Sequence, residues 1–431
     1  MHEFRYKRGK LVAEELKVED LAAEYGTPLY LYSDTTVRQN YRRLADALSG
    51  LDAQICFAMK ANSNKAILAA IVEEGGGFDT VSSGEIQRAI AAGGNPAKMV
   101  FAGVGKGDGE IEFGLKKGIY SFNVESEAEL RRIEKVAKRL GKRAPVAIRV
   151  NPNVDADTHA KITTGTYENK FGIAFEEIER LYAVIAKKKY LQAKGLQMHI
   201  GSQLTSVKPF KQATEKVAPL AARLKAQYGI EFLSIGGGIG IVYDQALASG
   251  EAQWWTKGPG KKVMTPAKYA KALTGTLKKL DLKILVEPGR FIVGNAGILV
   301  TKVEYTKHTG HKRFVIVDAA MNDLIRPAMY EAFHEILPTK QSKAKPSPAD
   351  VVGPICETGD RFCQNRPLPH LKEGDFLAIM SAGAYGFVMA GTYNSRGLPA
   401  EVMVRGNQAS LVRKRQPVRS IWKDESIPNW R

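Results

Sequence analysis

The sequence predicts an α/β protein built on a (β/α)8 TIM barrel, followed by a second, mainly antiparallel β domain. Three observations carry this reading. Short apolar, β-branched runs alternate with segments of helical spacing through residues 34–295, and strand–helix alternation implies a parallel sheet. Eight such units within about 250 residues match a closed barrel. Beyond residue 295 the rhythm changes, and strand candidates follow one another.

The eight barrel strands are expected at residues 54–59, 77–80, 99–102, 121–124, 146–150, 196–200, 232–235 and 284–287. Helical spacing lies between them, for example at 66–74, 84–92, 127–140, 175–188 and 210–228. A doubly wound sheet is the rival architecture, but it needs a GxGxxG turn after its first strand. Ala58-Met59-Lys60-Ala61-Asn62 is not such a turn. In the second domain, strands are expected at 298–305, 314–318, 351–355, 376–380, 385–389 and 401–405, with a helix at 328–336 and an exposed loop at 338–350. The first 33 residues precede the barrel and can supply a strand to the β domain. That domain would then be discontinuous, 1–33 plus 296–431, around a barrel at 34–295. The segment 243–265, with Trp254-Trp255, either covers the site or packs against the barrel.

An apolar fraction of 44% and a charged fraction of 25% describe an ordinary globular chain of 431 residues. Lys and Arg number 63 against 45 Asp and Glu, a net charge of +18. The positive residues form short runs, Lys187-Lys188-Lys189 and Arg413-Lys414-Arg415 among them. No basic arm or aromatic-interleaved basic motif accompanies them, so no nucleic-acid partner is expected. Three cysteines, Cys56, Cys356 and Cys363, cannot all pair, which argues against a secreted disulfide framework. Residues 1–10 lack an apolar signal core. No apolar run approaches the roughly 20 residues of a membrane span. A cytoplasmic location without membrane contact is the expectation. No metal is expected: the seven histidines are dispersed and no CxxC occurs.

In a (β/α)8 enzyme the chemistry sits at the C-terminal strand ends. Those ends carry Lys60, Asp79, Arg149, His199, Gly236-Gly237-Gly238 and Glu287. Each has two readings. Lys60 behind an apolar strand is either a partly desolvated, nucleophilic amine or a solvated lysine. The glycine run after the seventh strand either cradles a phosphate with its backbone N–H groups or is a tight turn. Glu287, in Glu287-Pro288-Gly289-Arg290, either holds a cofactor pyridinium N–H or pairs with Arg290. His199 either stacks on a flat cofactor or is a satisfied core histidine. Ser82 and Glu85 have capping-box spacing, which leaves Asp79 as the better site candidate. Cys356-Glu357 is either a proton donor beside a substrate-binding acid or a small buried residue next to a surface acid.

Phe57-Ala58-Met59-Lys60-Ala61-Asn62, His199-Ile200-Gly201-Ser202, Gly236-Gly237-Gly238, Glu287-Pro288-Gly289-Arg290 and Cys356-Glu357-Thr358-Gly359-Asp360 occur in that order. With them the chain resembles the alanine-racemase-like, barrel-type pyridoxal-phosphate enzymes, and within these the diaminopimelate decarboxylase family. The resemblance runs from about residue 25 to residue 393. It includes His159-x-Lys161-Ile162-x-Thr164-Gly165 and Lys170-Phe171-Gly172. It implies pyridoxal 5'-phosphate as cofactor, bound to Lys60 as an imine. His199 would stack on the ring and Glu287 hold its nitrogen, with Asp79 beside them. Ser202, Gly236, Gly237, Gly238 and the stretch Pro288, Gly289, Arg290 would bind the phosphate. Tyr385 would touch cofactor and substrate. Cys356 would act as a catalytic residue and Glu357 as a substrate contact, both entering the active site of the partner subunit in a homodimer with shared sites.

The substrate can be argued from charge. Related decarboxylases of ornithine or lysine meet a bare distal ammonium, which calls for an acid. Here the matching stretch is Leu324-Ile325-Arg326-Pro327-Ala328-Met329-Tyr330. Pro327 suits a first helical turn, which puts Arg326 and Tyr330 on one side. Arg326 with Arg290 suits a distal carboxylate, and Glu357 suits a distal ammonium. A far end with both groups is an amino-acid centre, as in meso-diaminopimelate, whose decarboxylation yields L-lysine.

Overall fold

A computed structural model describes residues 1–154 and 170–430. The His159–Gly165 motif lies outside the described residues. The chain divides into two compact units. One comprises Val37–Ile241 and Lys262–Ile292, and the other Met1–Thr36, Val242–Lys261 and Val293–Arg431.

The first unit is a closed parallel barrel. Its strands, in chain order, are Ala53–Ala58, Gly77–Thr80, Met99–Phe101, Ser121–Val124, Ala144–Asn151, Leu191–Met198, Phe232–Ser234 and Lys283–Val286. Each pairs with the next, and the eighth closes on the first through Leu285 opposite Gln54. The observed strands overlap the predicted ones, most within one residue at each end, while the fifth starts two residues earlier and the sixth runs from 191 to 198 instead of 196 to 200. Apolar residues meet on both faces of these strands because helices cover the outside. Inside, Cys56, Val100, Ala147 and Phe232, from the first, third, fifth and seventh strands, cluster with Leu285. Such contributions from alternate strands are how a barrel fills its interior.

The intervening helices carry legible signals. Glu127–Arg139 starts at Ser126, whose hydroxyl accepts from the Glu129 N–H at 3.1 Å. It has acids in the first turn and Lys138 and Arg139 in the last, matching the helix dipole. Lys208–Tyr228 begins with Pro209 and ends at Gly229 in the left-handed region.

The second unit is a mixed but mainly antiparallel sheet in the order Arg361–Leu368, Ser347–Val352, Arg313–Val317, Gly297–His308, Leu29–Ser33, Ala400–Arg405 and Gln408–Arg413. Phe376–Ile379 also pairs with Gly297–His308. Leu29–Ser33 is the strand supplied from before the barrel. It pairs antiparallel to Gly297–His308 and parallel to Ala400–Arg405. Leu29, Leu31, Ile298, Val300, Val402 and Val404 form one apolar face. On the other face Tyr30 and Tyr32 are fully buried, and their hydroxyls donate to the Asp323 carbonyl at 2.6 Å and to Glu401 Oε1 at 2.8 Å.

Four expectations change here, the first being the exposed loop at 338–350, whose last four residues belong to the strand Ser347–Val352, with Ala349 and Asp350 buried. Residues 385–389 are not a strand: Tyr385 adopts φ +57° and Phe387–Met389 is a 3-10 turn. The helix expected at 328–336 is the shorter Arg326–Tyr330. It is stopped by Glu331 in the left-handed region, after which Ile336–Pro338 is a strand. Residues 242–261 join this second unit, with the Leu247 N–H donating to Glu335 Oε2 at 2.7 Å.

Candidate active site

At the C-terminal rim of the barrel, Lys60 lies in a 3-10 turn, Met59–Ala61, directly after the first strand. Its Nζ is 3.1 Å from Asp79 Oδ2. Asp79, opposite Ala58 in register, is almost fully buried, and its Oδ1 has no hydrogen-bond partner among the described residues. Glu85 lies in the first turn of the helix that follows, Ser83–Ala91. Its N–H donates to Ser82 Oγ at 3.2 Å, the expected cap, but its carboxylate reaches one residue further back, to the Val81 N–H at 2.7 Å. Burial, with the Asp79 charge adding to it, pushes Glu85 up to about 7.

Glu287 ends the eighth strand, buried. Ser234 Oγ donates to its Oε1 at 2.6 Å and Gln197 Nε2 to its Oε2 at 3.0 Å. Burial first, then the nearby Asp79 carboxylate, raise its pKa to about 7. Pairing with Arg290 was one of the two readings that the sequence allowed Glu287. Instead two neutral donors hold it, and Arg290 Nη2 donates to Ser202 Oγ at 3.2 Å. Gln197 and Ser234 were missed, although each is a polar residue inside an apolar strand, and a buried polar group needs a partner.

His199 follows the sixth strand, and its Nδ1 accepts from the Gly237 N–H at 3.2 Å. That bond places the ring's proton, in the neutral form, on Nε2. Burial and then the positive charges of Arg149 and Lys60 hold its pKa well below the usual imidazole value. Arg149 is buried, 2.8 Å from Glu125 Oε1, with its guanidinium over the Phe171 ring at 4.7 Å. Glu125 Oε2 also accepts from the Gly172 N–H at 2.8 Å. The Lys170-Phe171-Gly172 motif thus braces Arg149.

The glycine run is a close approach of backbones. A Cβ at Gly237 would collide with the Glu287 carbonyl, and one at Gly238, where φ is +100°, with the Gly201 carbonyl. Only glycine permits the loop after the seventh strand to lie against those after the sixth and eighth. The backbone is tied across these loops by Leu204 N–H to the Gly238 carbonyl at 2.9 Å and Glu287 N–H to the Gly236 carbonyl at 2.8 Å. Lys60, Asp79, His199, Ser202, Gly236 to Gly238 and Glu287 to Arg290 therefore share one rim.

The remaining candidates belong to the second unit. Arg326 and Tyr330 are the first and last residues of one short helix, with Arg326 buried and Tyr330 half-buried. Arg326 Nη1 lies 2.8 Å from His334 Nε2. Cys356 and Glu357 are exposed, on a loop held by buried Asp360, which accepts from the N–H groups of Ile355 and Met321 at 2.7 Å each. Of the two readings of Cys356, the small buried residue is excluded by its exposure. Its own N–H donates to Asn394 Oδ1 at 3.0 Å. Tyr385 is half-buried in its left-handed conformation, a strained geometry for a non-glycine residue.

A barrel with a rim lysine, a buried rim carboxyl and a glycine cradle, in one chain with a β unit, defines the barrel-type pyridoxal-phosphate enzymes as a class. Comparison with known proteins agrees: residues 34–294 match the family described as pyridoxal-dependent decarboxylase, pyridoxal binding domain. The chain is 47% identical over 430 residues to the diaminopimelate decarboxylase of Pseudomonas aeruginosa, covering 99% of each. Diaminopimelate decarboxylase from Helicobacter pylori, solved in complex with L-lysine, is 42% identical with a TM-score of 0.88, covering 94% of this chain and 98% of that one. The enzyme from M. jannaschii, also solved with L-lysine, is 35% identical with a TM-score of 0.91, covering 99% of both. The chain belongs to the diaminopimelate decarboxylase family.

Proposed function

We propose that this chain catalyses the pyridoxal-phosphate-dependent decarboxylation of meso-2,6-diaminopimelate to L-lysine and CO2, the carboxy-lyase step that completes lysine biosynthesis. The observation that carries this reading is Glu287, a buried carboxyl raised to about 7 at the rim that also carries Lys60. Such a group is short of positive charge, and a pyridine N–H would supply it. Lys60 offers the amine for cofactor attachment, and His199 a neutral ring to lie against it. Gly236 to Gly238, Ser202, Gly289 and Arg290 offer donors for its phosphate, and Pro288 shapes the turn that presents the last two.

Pyridoxal phosphate, when bound, supplies a protonated ring that accepts the electron pair left behind as CO2 departs. The chain's own residues do the rest. Glu287 keeps the proton on the ring nitrogen, while Asp79 holds Lys60 in place. Arg326 and Arg290 bind the carboxylate at the far end of the substrate, Glu357 its ammonium, and Tyr330 and Tyr385 line the path between. Cys356, or Lys60, delivers one proton to the carbon that has lost its carboxylate.

In the same reading, residues 34–295 form the cofactor-binding domain. Residues 1–33 with 296–431 form the β domain that builds the dimer. The exposure of Cys356 and Glu357 supports a homodimer in which each copy lends these two residues to the other. The protein would work in the cytoplasm, without nucleic acid or membrane. No helix among the described residues is long and apolar enough to cross a membrane.

Arg326→Ala tests the substrate assignment. Loss of a charge-assisted bond costs about 1.5–3 kcal/mol, so KM for diaminopimelate should rise at least about tenfold. An unchanged KM would remove Arg326 from the account.

A further inference from the structure

Arg326 is held in an unusual way for a buried cation. Its Nη1 meets His334 Nε2 at 2.8 Å, and His334 Nδ1 meets the Met380 carbonyl at 2.7 Å. A carbonyl can only accept and a guanidinium can only donate. The fully buried His334 ring is therefore neutral, with its proton on Nδ1. The Arg326 guanidinium also lies over the Tyr243 ring, 4.8 Å from its centroid, and Tyr243 meets the His334 ring edge-on at 5.2 Å and 79°. Tyr243 is carried by the segment whose attachment the sequence left open. That segment is fastened by Leu247 N–H to Glu335 Oε2 at 2.7 Å and by His2 Nε2 to the Ala246 carbonyl at 2.8 Å.

A long arginine side chain loses conformational entropy when it binds a ligand, unless it is already ordered. An acidic partner would order it but would consume its charge. His334 and Tyr243 are both uncharged, so they order the guanidinium without themselves neutralising it. We propose that His334 and Tyr243 are positioning residues that orient Arg326 toward the distal carboxylate of the substrate, and so set the preference for a far end that carries one. The inference rests on the reading of Arg326 given above. It assigns to the 242–261 segment a role in specificity, through Tyr243.

The test is binding of two ligands to cofactor-loaded protein by calorimetry. L-lysine keeps the distal carboxylate; 1,5-diaminopentane has the same chain without it. In His334→Phe, the L-lysine Kd and the diaminopimelate KM should each rise about tenfold, with kcat and the diaminopentane Kd within about twofold of wild type. His334→Gln, whose amide oxygen can still accept from Arg326, should recover most of that loss. Tyr243→Leu should cost about threefold in L-lysine affinity through the lost cation–π contact. Adding His334→Phe to Arg326→Ala should cost nothing more, since the residue being positioned is gone. Equal weakening of both ligands in His334→Phe, or no recovery in His334→Gln, would overturn the proposal. If His334→Phe does not fold, His334→Gln and Tyr243→Leu decide it: Tyr243→Leu must still weaken L-lysine selectively. An Arg326→Ala protein with an unchanged ratio of the two Kd values would instead sink the Arg326 reading beneath it.

Discussion

Lys60 and Glu287 illustrate what single residues reveal. Both were visible in the sequence because strand ends of a barrel are where chemistry gathers and because their motifs are specific. The partners of Glu287 were not visible: Ser234 and Gln197 meet it only when three strands close side by side. Its titration is a testable consequence. The pKa rises from 4.5 to about 7 on folding, so between those values the folded state holds a proton that the unfolded chain has lost. The stabilisation is complete below the unfolded value and disappears as pH rises through the folded one. Cofactor-free protein should therefore lose thermal stability between pH 4.5 and about 7, and Glu287→Gln should flatten that slope. A slope untouched by the substitution would contradict the assignment. Lys60→Ala should lose the visible absorbance band of covalently bound cofactor, and its persistence would exclude Lys60 as the attachment point.

Elements were legible to different degrees. The barrel strands were found almost residue for residue, because parallel strands buried on both faces read as unbroken apolar runs. The β unit was harder. Residues 385–389 look like a strand in composition, yet Tyr385 at φ +57° turns the chain, and nothing local in the sequence demands that. The helix expected at 328–336 was overextended because Glu331, not glycine, takes the left-handed stop. Its early end frees His334 to meet Arg326. Two loops yield predictions. Gly237→Ala should weaken cofactor binding by at least about tenfold, since its Cβ meets the Glu287 backbone and the loops must part. Titration of cofactor into the variant measures this, and wild-type affinity would refute the cradle. Asp360→Ala removes the acceptor of two backbone N–H groups and should cost about 2 kcal/mol of stability, while disordering the loop that carries Cys356 and Glu357. Chemical denaturation reads the first effect and the diaminopimelate KM the second.

For the whole molecule, the architecture was legible because its signals repeat, eight strand–helix units and then a change of rhythm. What stayed illegible were long-range pairings, such as Leu29–Ser33 between two strands from the far end of the chain, and the attachment of residues 242–261. The proposed sharing of active sites is an assembly-level claim. Lys60→Ala and Cys356→Ala proteins, each inactive alone, should regain about a quarter of wild-type activity when unfolded and refolded together in equal amounts, because mixed dimers would carry one intact site. No recovery would place both residues in sites built by a single chain.

The most direct measurement offers purified, cofactor-loaded protein meso-diaminopimelate, L-ornithine, L-arginine and L-lysine in parallel and follows CO2 and amine products. The account predicts CO2 and L-lysine from diaminopimelate alone. Turnover of another of these substrates in its place would keep the fold and the cofactor but contradict the reading of Arg326 and the function built on it.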